Sequence, residues 1–244
     1  MNRATRGVLA QARVELVLSL RRGESLLVSF LVPIGILVFF AKVDTVNTTL
    51  KHPVDFLVPG VLALAVMSTA MVSLGIATGF ERRYGVLKRL GSTPLSRGGL
   101  LAAKTIVVLV IELVQAAVIV GTGLALGWDP TDGLALAVVW LLVGTIAFAG
   151  IGLFLAGTLR AEANLALANG LFLVLLFLGG MAYPLGRLPD ILESFAHLLP
   201  AAALAESVRA ALRGDGVPWD SVGVLIGWAV VAPLAATRYF RWEE

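Results

Sequence analysis

The chain has 244 residues, of which 58% are hydrophobic and 14% are charged, and its mean hydropathy is +0.91. About a quarter of the residues in a soluble domain are charged, so this composition excludes an ordinary soluble protein. The absence of cysteine excludes disulfides and thiolate metal sites. The net charge of +3 would suggest nucleic acid in a soluble protein. In a membrane protein the positions of the basic residues are more informative, and we expect no nucleic-acid partner.

Residues 1–24 are predicted to form an amphipathic helix that lies on the inner leaflet of a membrane. Leu9, Ala12, Leu16 and Leu20 recur along one side of this helix, and arginines dominate the rest. A disordered basic tail is the alternative, because the apolar stripe is imperfect. Five arginines precede the first apolar block and no small-residue cleavage site follows it, so we do not expect a cleaved signal peptide.

Six apolar blocks then follow, each long enough or nearly long enough to cross a membrane. About 20 helical residues cross about 30 Å of hydrocarbon. The first and last blocks are short and contain Pro33 and Pro233, so we expect a packed bundle in which neighbouring helices satisfy the freed backbone groups. The six predicted spans are Leu26–Ala41, Phe56–Phe80, Thr105–Trp128, Leu134–Leu159, Ala163–Met181 and Val222–Thr237.

The basic residues predict the orientation of these spans. Fourteen of the 19 Lys and Arg residues fall on the side of the chain termini, and five fall on the opposite side. Lys and Arg are enriched in cytoplasmic loops. The sequence therefore predicts that both termini, and the loop between the second and third spans, are cytoplasmic.

That loop, residues 81–104, is a compact basic segment within an apolar chain. Tyr84, Leu87 and Leu90 recur at helical spacing, and turn residues follow from Gly91 to Pro94, so we predict a short helix with one apolar side. Such a helix would dock a partner, and Glu81 at its start would be available to a partner cation. The alternative is a simple positive-inside anchor among lipid headgroups. The basic residues of the loop are Arg82, Arg83, Lys88, Arg89, Arg97 and Lys104.

The sequence ERRYGVLKRLGSTPLSR, followed by Ala-Lys, resembles the signature loop of type-2 permeases of ATP-binding-cassette (ABC) exporters, including the daunorubicin-resistance kind. A second acidic residue that the family often carries near Arg83 is missing here. The positions that match the family pattern are Glu81, Gly85, Leu87, Lys88, Leu90, Thr93, Pro94 and Lys104.

This resemblance implies a single permease domain over residues 1–244, which sits in a bacterial plasma membrane and contacts membrane lipid. It implies a second permease chain, identical or paralogous, and a separate ABC ATPase subunit that binds ATP and Mg. By the same resemblance, the basic loop forms a coupling helix that contacts the ATPase. ATP hydrolysis by that partner would drive export of a hydrophobic or amphipathic drug, lipid or glycan. The residues assigned to ATPase coupling are Glu81, Arg82, Arg83, Tyr84, Gly85, Leu87, Lys88, Arg89, Leu90, Thr93 and Pro94.

The chain shows no pattern for catalysis, so we predict that it is not an enzyme and holds no cofactor or metal of its own. The stretch GGLLAAKT nearly matches a phosphate-binding loop, but Ala103 stands where a second glycine is needed, and a membrane span follows directly. His52 and His197 both lie in predicted external segments.

Polar residues within the predicted spans are candidates for a transport path. Glu112 and Gln115 are three residues apart, so they are predicted to share one face of the third span. A charged residue near mid-helix costs about 2.5–3.5 kcal/mol on insertion scales, so this face should line a transport path or a dimer interface. The alternative is that Glu112 only packs the bundle. Weaker candidates are Met67, Ser68, Thr69, Met71, Ser73, Asn164 and Asn169.

Residues 182–220 are predicted to form two short external helices that are broken at Pro200. The family resemblance implies an outer gate here, and an amphipathic cap on the bilayer surface is the alternative. The predicted fold is therefore all-α and polytopic, with six transmembrane helices. The competing functions are an ATP-independent carrier coupled to protons through Glu112 and a membrane assembly scaffold. A carrier of that class usually contains internal repeats, and none is visible between the two halves of the chain.

Overall fold

The computed structural model describes residues 3–21, 23–42, 53–91, 96–130, 133–181 and 184–241. Within these ranges the regular structure is entirely helical, which confirms the all-α prediction. The α-helices are α1 (Arg3–Arg21), α2 (Gly23–Lys42), α3 (Pro53–Val66), α4 (Leu74–Arg83), α5 (Val86–Gly91), α6 (Arg97–Ala125), α7 (Leu134–Thr158), α8 (Ala161–Leu178), α9 (Asp190–Ala196), α10 (Pro200–Arg213) and α11 (Trp219–Tyr239).

Among the described residues, five continuous helical stretches are long and apolar enough to cross a membrane, which confirms a polytopic membrane protein. They are Pro53–Arg83, Gly98–Ala125, Leu134–Thr158, Ala161–Leu178 and Trp219–Tyr239. The predicted first span corresponds to α2, a helix of 20 residues. Its apolar part with described side chains, Ser29–Lys42, is shorter than a full span. A sixth candidate is the bent pair of α9 and α10.

The second span is the most buried of the five, and it is not a uniform α-helix. Between α3 and α4 the backbone forms a π-helical segment over Met67–Ser73, which we call the π segment. Small residues let this span approach its neighbours closely. A Cβ on Gly60 would lie 2.0 Å from the carbonyl oxygen of Met181, and one on Gly75 would lie 3.0 Å from that of Gly152. Close backbone contact through glycine is the usual way in which membrane helices pack.

Helix α7 lies at the centre of the bundle, against α4, α10 and α11. A Cβ on Gly152 would lie 2.5 Å from the carbonyl oxygen of Met71 in the π segment. A Cβ on Gly150 would lie 2.5 Å from the backbone nitrogen of Pro233 in α11. Pro233 therefore lies at a tight helix–helix contact, which agrees with the expected packed bundle.

The predicted N-terminal helix is present as α1, and it packs along α6. Ala12 is buried against Ala103 and Val107, whereas Leu9 and Leu20 from the predicted stripe are exposed. An amphipathic helix with an exposed apolar fringe suits a membrane surface. Contact of α1 with the inner leaflet remains a prediction.

The segment that was predicted to be external breaks at Pro200, as expected, and its two helices differ in burial. Helix α9 is mostly exposed, with Ile191 85% accessible. Helix α10 lies at 79° to α9 and packs among α3, α7 and α11, where Leu204, Val208 and Leu212 are buried. Gly214 ends α10 with a positive φ of 73°. Since α10 is part of the bundle, the alternative of a cap resting on the bilayer does not hold for this helix.

Candidate functional site

The predicted coupling loop begins with an ion pair that lies within the chain. The Nζ atom of Lys104 lies 2.6 Å from Oε2 of Glu81 and 2.9 Å from Oε1 of Glu15. The Lys104 side chain is only 2% exposed. Glu81 therefore pairs with a cation of its own chain, which corrects the expectation that a partner's cation would fill this role. Lys104 is also the lysine of the sequence that nearly matches a phosphate-binding loop. In the structure this lysine joins α1, α4 and α6.

The two arginines at the end of α4 contact the junction between α7 and α8. Arg82 is buried and donates a hydrogen bond from Nη2 to the carbonyl oxygen of Leu159. Arg83 forms an ion pair with Glu162 in the first turn of α8. An acidic residue in the first turn also suits the helix dipole. These contacts fix the α4 end of the second span to the fourth and fifth spans.

The short helix of the loop is present as α5, but its apolar side is not the predicted one. The backbone turns at Gly85, whose φ of +72° favours glycine, so α4 and α5 are separate helices. Leu87 is fully buried in the chain's own core, whereas Tyr84 is 72% exposed. The single apolar side predicted from Tyr84, Leu87 and Leu90 is therefore wrong, because helical spacing does not continue through the turn.

Between Tyr84 and Leu90, the residues with exposed side chains are Tyr84, Val86, Lys88 and Arg89, which we call the coupling surface. The buried Leu87 holds this surface against the bundle, and Leu90 is half-buried beside it. Ser96 caps the following helix, since its Oγ accepts a hydrogen bond from the Gly99 N–H at 3.1 Å. Thr93 and Pro94 were also assigned to coupling, and they lie outside the described residues.

Gln115 connects three helical segments inside the membrane region. Thr69 donates a hydrogen bond to Oε1 of Gln115, and Nε2 of Gln115 donates to the carbonyl oxygen of Ser29, each at 2.9 Å. A cavity of about 90 Å³, lined by both polar and apolar residues, adjoins this network and continues towards Lys104. Its polar lining residues are Glu15, Ser19, Ser29, Thr69, Ser73, Glu81 and Lys104.

Glu112 points away from this network and towards α7. Thr145 donates a hydrogen bond to Oε2 of Glu112, and Oε1 has no partner among the described residues. The prediction that Glu112 and Gln115 share one face is therefore wrong in detail. Residues three apart on a helix differ by about 60° around its axis, and this difference places the two side chains in separate grooves.

The weaker candidates for a transport path have mixed environments. Met67 and Met71 are fully buried in the core, and Ser68 is half-buried. Asn164 is fully buried and donates a hydrogen bond to the carbonyl oxygen of Gly75 at 2.8 Å, so it joins α8 to α4. Asn169 is exposed and donates to the carbonyl oxygen of Leu165 in its own helix.

Sequence reasoning missed three residues that complete these contacts. Glu15, Thr145 and Glu162 lie in helices far along the chain from the groups they bind. Glu15 interrupts the apolar side of α1 next to Leu16. A charged residue at such a position indicates that it pairs with a residue of another helix. For Thr145 and Glu162 the sequence contains no comparable signal.

Comparison with known proteins agrees with this architecture. Residues 8–212 match the family model of the ABC-2 type transporter. The match covers most of the chain, and the chain therefore belongs to the ABC-2 type transporter family. The resemblance first seen in the basic loop is confirmed.

Relatives in several bacteria are similar over long stretches. The chain is 25% identical to a transport permease of Bacillus subtilis, YvfS, over 96% of both chains. It is 25% identical to a protein of Mycobacterium tuberculosis named as a doxorubicin resistance ABC transporter permease, DrrC, over 72% of this chain and 64% of that one. It is 21% identical to an Escherichia coli protein named as a multidrug ABC transporter permease, YbhR, over 76% of this chain and 52% of that one.

The family and the helices together define the class of this protein. It is a multi-pass membrane protein and the permease subunit of an ABC transporter, rather than the ATPase. A permease of this kind acts with an ABC ATPase subunit.

Proposed function

We propose that this chain is the membrane subunit of an ATP-driven exporter, and that its coupling surface contacts the ATPase. The observation that carries the proposal is the contrast between the two sides of the loop. Leu87, Arg82 and Glu81 face the chain's own helices, whereas Tyr84, Val86, Lys88 and Arg89 face outward. The loop is thus fixed to the bundle on one side and accessible to a partner on the other.

The fixed side explains how movement of the loop would reach the membrane. A force on α5 acts on α4 through the Tyr84–Gly85 turn, on α6 and α1 through Lys104, and on α8 through Glu162. A packed element moves as a unit between discrete arrangements instead of deforming continuously. Closure of two ATPase subunits would therefore shift several spans of each permease together.

Orientation and direction complete the proposal. The excess of Lys and Arg on the side of the termini supports cytoplasmic termini in a bacterial inner membrane, with the coupling surface on the ATP-containing side. A second permease chain would complete the transport path. The substrate would be hydrophobic or amphipathic, and it would leave the cytoplasmic side when ATP is hydrolysed by the partner.

The experiment is a substitution on the coupling surface that leaves the core intact. Val86→Asp puts a carboxylate at a position that is 43% exposed, and it changes no basic residue of the loop. We expect normal membrane insertion, loss of ATPase co-purification and loss of export, because the carboxylate is buried without a partner at the interface. Ile191→Asp on the exposed helix α9 is the matched control, and it should export at the wild-type rate.

A different outcome would reject the proposal. If Val86→Asp exports at the wild-type rate with the ATPase still bound, the coupling surface is misassigned. If the wild-type chain transports its substrate in vesicles without any ATPase, the protein is an ATP-independent carrier instead.

A further inference from the structure

An apolar pocket lies between α3, α6 and α7, and it contains one carboxylate. The pocket has a volume of about 90 Å³. Apart from Glu112 and Thr145, all of its described lining residues are Leu, Val or Ala. They include Leu62, Val66, Leu113, Val138 and Leu142. We call this space the Glu112 pocket.

The Glu112 carboxyl group is buried there with half of its hydrogen-bonding capacity unused. It is 7% exposed, and the Thr145 hydroxyl satisfies Oε2 alone. Oε1 has no hydrogen-bond partner among the described residues. Buried polar atoms are almost always paired, so an unpaired carboxylate oxygen beside a cavity indicates a missing partner.

The missing partner is not a basic residue of the described chain. No Lys or Arg lines the Glu112 pocket among the described residues. The basic residue of α6 nearest in sequence is Lys104, two turns away, and it is held between Glu15 and Glu81. A group that pairs with Glu112 must therefore come from outside these residues.

The mouth of the pocket is apolar, and it opens on the outer surface of the helices. Leu113 is 72% exposed, Val138 is 52% exposed and Leu142 is 43% exposed. Glu112 lies near the middle of α6, which places these residues at the depth of the hydrocarbon core. A ligand would reach Glu112 sideways from the bilayer, and it must itself be lipophilic.

We propose that the Glu112 pocket binds the ammonium group of a lipophilic amine that enters from the membrane. This inference rests on the proposed function, and it names a class of substrate for the exporter. An ammonium donates a charge-assisted hydrogen bond to Oε1, and such bonds are strong in a site without water. The apolar part of the amine lies along Leu113, Val138 and Leu142.

The size of the pocket limits which part of the ligand it encloses. Pockets that enclose a drug-sized molecule measure about 300–1,000 Å³. A space of about 90 Å³ holds an ammonium group with its nearest carbons. The site therefore selects for the charged group and tolerates variation in the rest of the molecule.

The test is photo-crosslinking of the full-length chain in lipid nanodiscs without ATP. The probes are dodecylamine and 1-dodecanol, each with a diazirine at the same carbon, so that they differ only in the charged group. Mass spectrometry then quantifies labelling of the peptides that contain Leu113 and Leu142. We expect the amine to label them at least about tenfold more than the alcohol, as a charge-assisted bond requires.

Three variants separate charge from shape. Glu112→Gln keeps the side-chain length and an oxygen that accepts from Thr145, and labelling by the amine should fall to the level of the alcohol. Glu112→Asp keeps the charge, and the amine should still exceed the alcohol. Glu193→Gln on α9 removes a carboxylate outside the pocket and should change nothing.

Equal labelling by amine and alcohol in the wild-type chain would overturn the inference, and so would unchanged amine labelling in a folded Glu112→Gln chain. Because the assay uses neither ATP nor the ATPase, its result is independent of the coupling experiment. If the amine labels the pocket selectively and the Val86→Asp variant still exports and binds the ATPase normally, only the proposed coupling surface is rejected. If Val86→Asp loses export and ATPase binding but the amine does not label the wild-type pocket selectively, only the amine site is rejected.

Discussion

The ammonium of Lys104 lies 2.6 Å from the carboxylate of Glu81, and this contact joins the start of the third span to the end of the second. Glu15 approaches the same ammonium from α1 at 2.9 Å. One cation thus holds two carboxylates that are only 12% and 13% exposed. Without the lysine, two negative charges would be left close together and partly buried.

Replacement of that lysine should destabilise the protein strongly. Lys104→Met removes the cation and should lower the free energy of unfolding by about 3–5 kcal/mol, since breaking a buried ion pair leaves an uncompensated charge. The measurement is thermal unfolding of the detergent-solubilised chain by size-exclusion chromatography. Lys42→Met, at the exposed end of α2, is the matched control and should unfold like the wild type.

Neutralising both carboxylates in the Lys104→Met background should restore most of that stability. The triple variant Glu15→Gln, Glu81→Gln, Lys104→Met leaves no unpaired charge at the site. If it is as unstable as Lys104→Met alone, the lysine acts through packing instead of charge.

The Arg83–Glu162 ion pair should affect transport more than stability. The side chains are 44% and 61% exposed, so the pair contributes only about 0–1 kcal/mol to the free energy of unfolding. Its position between the end of α4 and the start of α8 makes it a link between spans. Arg83→Glu should therefore reduce ATP-dependent transport in vesicles with little change in melting temperature.

The charge-swapped pair provides the control for this prediction. Arg83→Glu combined with Glu162→Arg restores the attraction with the signs exchanged, and transport should recover in large part. Failure of the double variant to recover would mean that Arg83 contacts the ATPase directly.

Two introduced cysteines test the orientation, and the chain has no native cysteine to interfere. Lys88→Cys lies on the coupling surface, and Ile191→Cys lies on α9, where the native residue is 85% exposed. In intact cells a membrane-impermeant maleimide should label position 191, and position 88 should be labelled only after permeabilisation. Labelling of both positions in intact cells would contradict cytoplasmic termini.

Two glycines form a matched pair for the packing of α7. A Cβ on Gly152 would lie 2.5 Å from the carbonyl oxygen of Met71, whereas one on Gly170 in α8 has open space around it. Gly152→Ala should lower the free energy of unfolding by about 1–3 kcal/mol, because backbone atoms must move apart. Gly170→Ala should be neutral or stabilising by up to about 1 kcal/mol, since alanine favours helix. Thermal unfolding of both variants measures the difference.

The membrane fold could be predicted because long apolar blocks carry their own signal. The predicted span Leu134–Leu159 differs from α7 by one residue at its end. Helix α6 begins at Arg97, earlier than the predicted third span, because Ser96 caps the helix and because Lys104, inside it, is paired with Glu15 and Glu81. In the sequence, the basic Lys104 indicated a loop outside the membrane. Its ion pairs with Glu15 and Glu81, which are distant in sequence, allow it to lie in the first part of a helix inside the bundle.

The site was harder to predict, because faces of helices depend on tertiary contacts. Tyr84 and Leu87 have the spacing of one helical face, yet the turn at Gly85 separates them. Glu112 and Gln115 are close on one helix, yet Thr145 and Thr69 bind them from different neighbours. The spacing of residues within one segment carries no information about where other segments pack against it. The sequence therefore showed which loop residues are charged or apolar, but not which residues they contact.

The π segment has a consequence for the geometry of the second span. Each residue of an α-helix advances the side chains by about 100° around the axis, and a segment bonded from i to i+5 holds more residues in each turn. The angular phase of α4 relative to α3 is therefore set by Met67–Ser73. A return of the whole segment to α-helical bonding, with no residue deleted, would rotate the part of the span that follows it by about 100°. Glu81 would then turn away from Lys104, although no residue of the loop had changed.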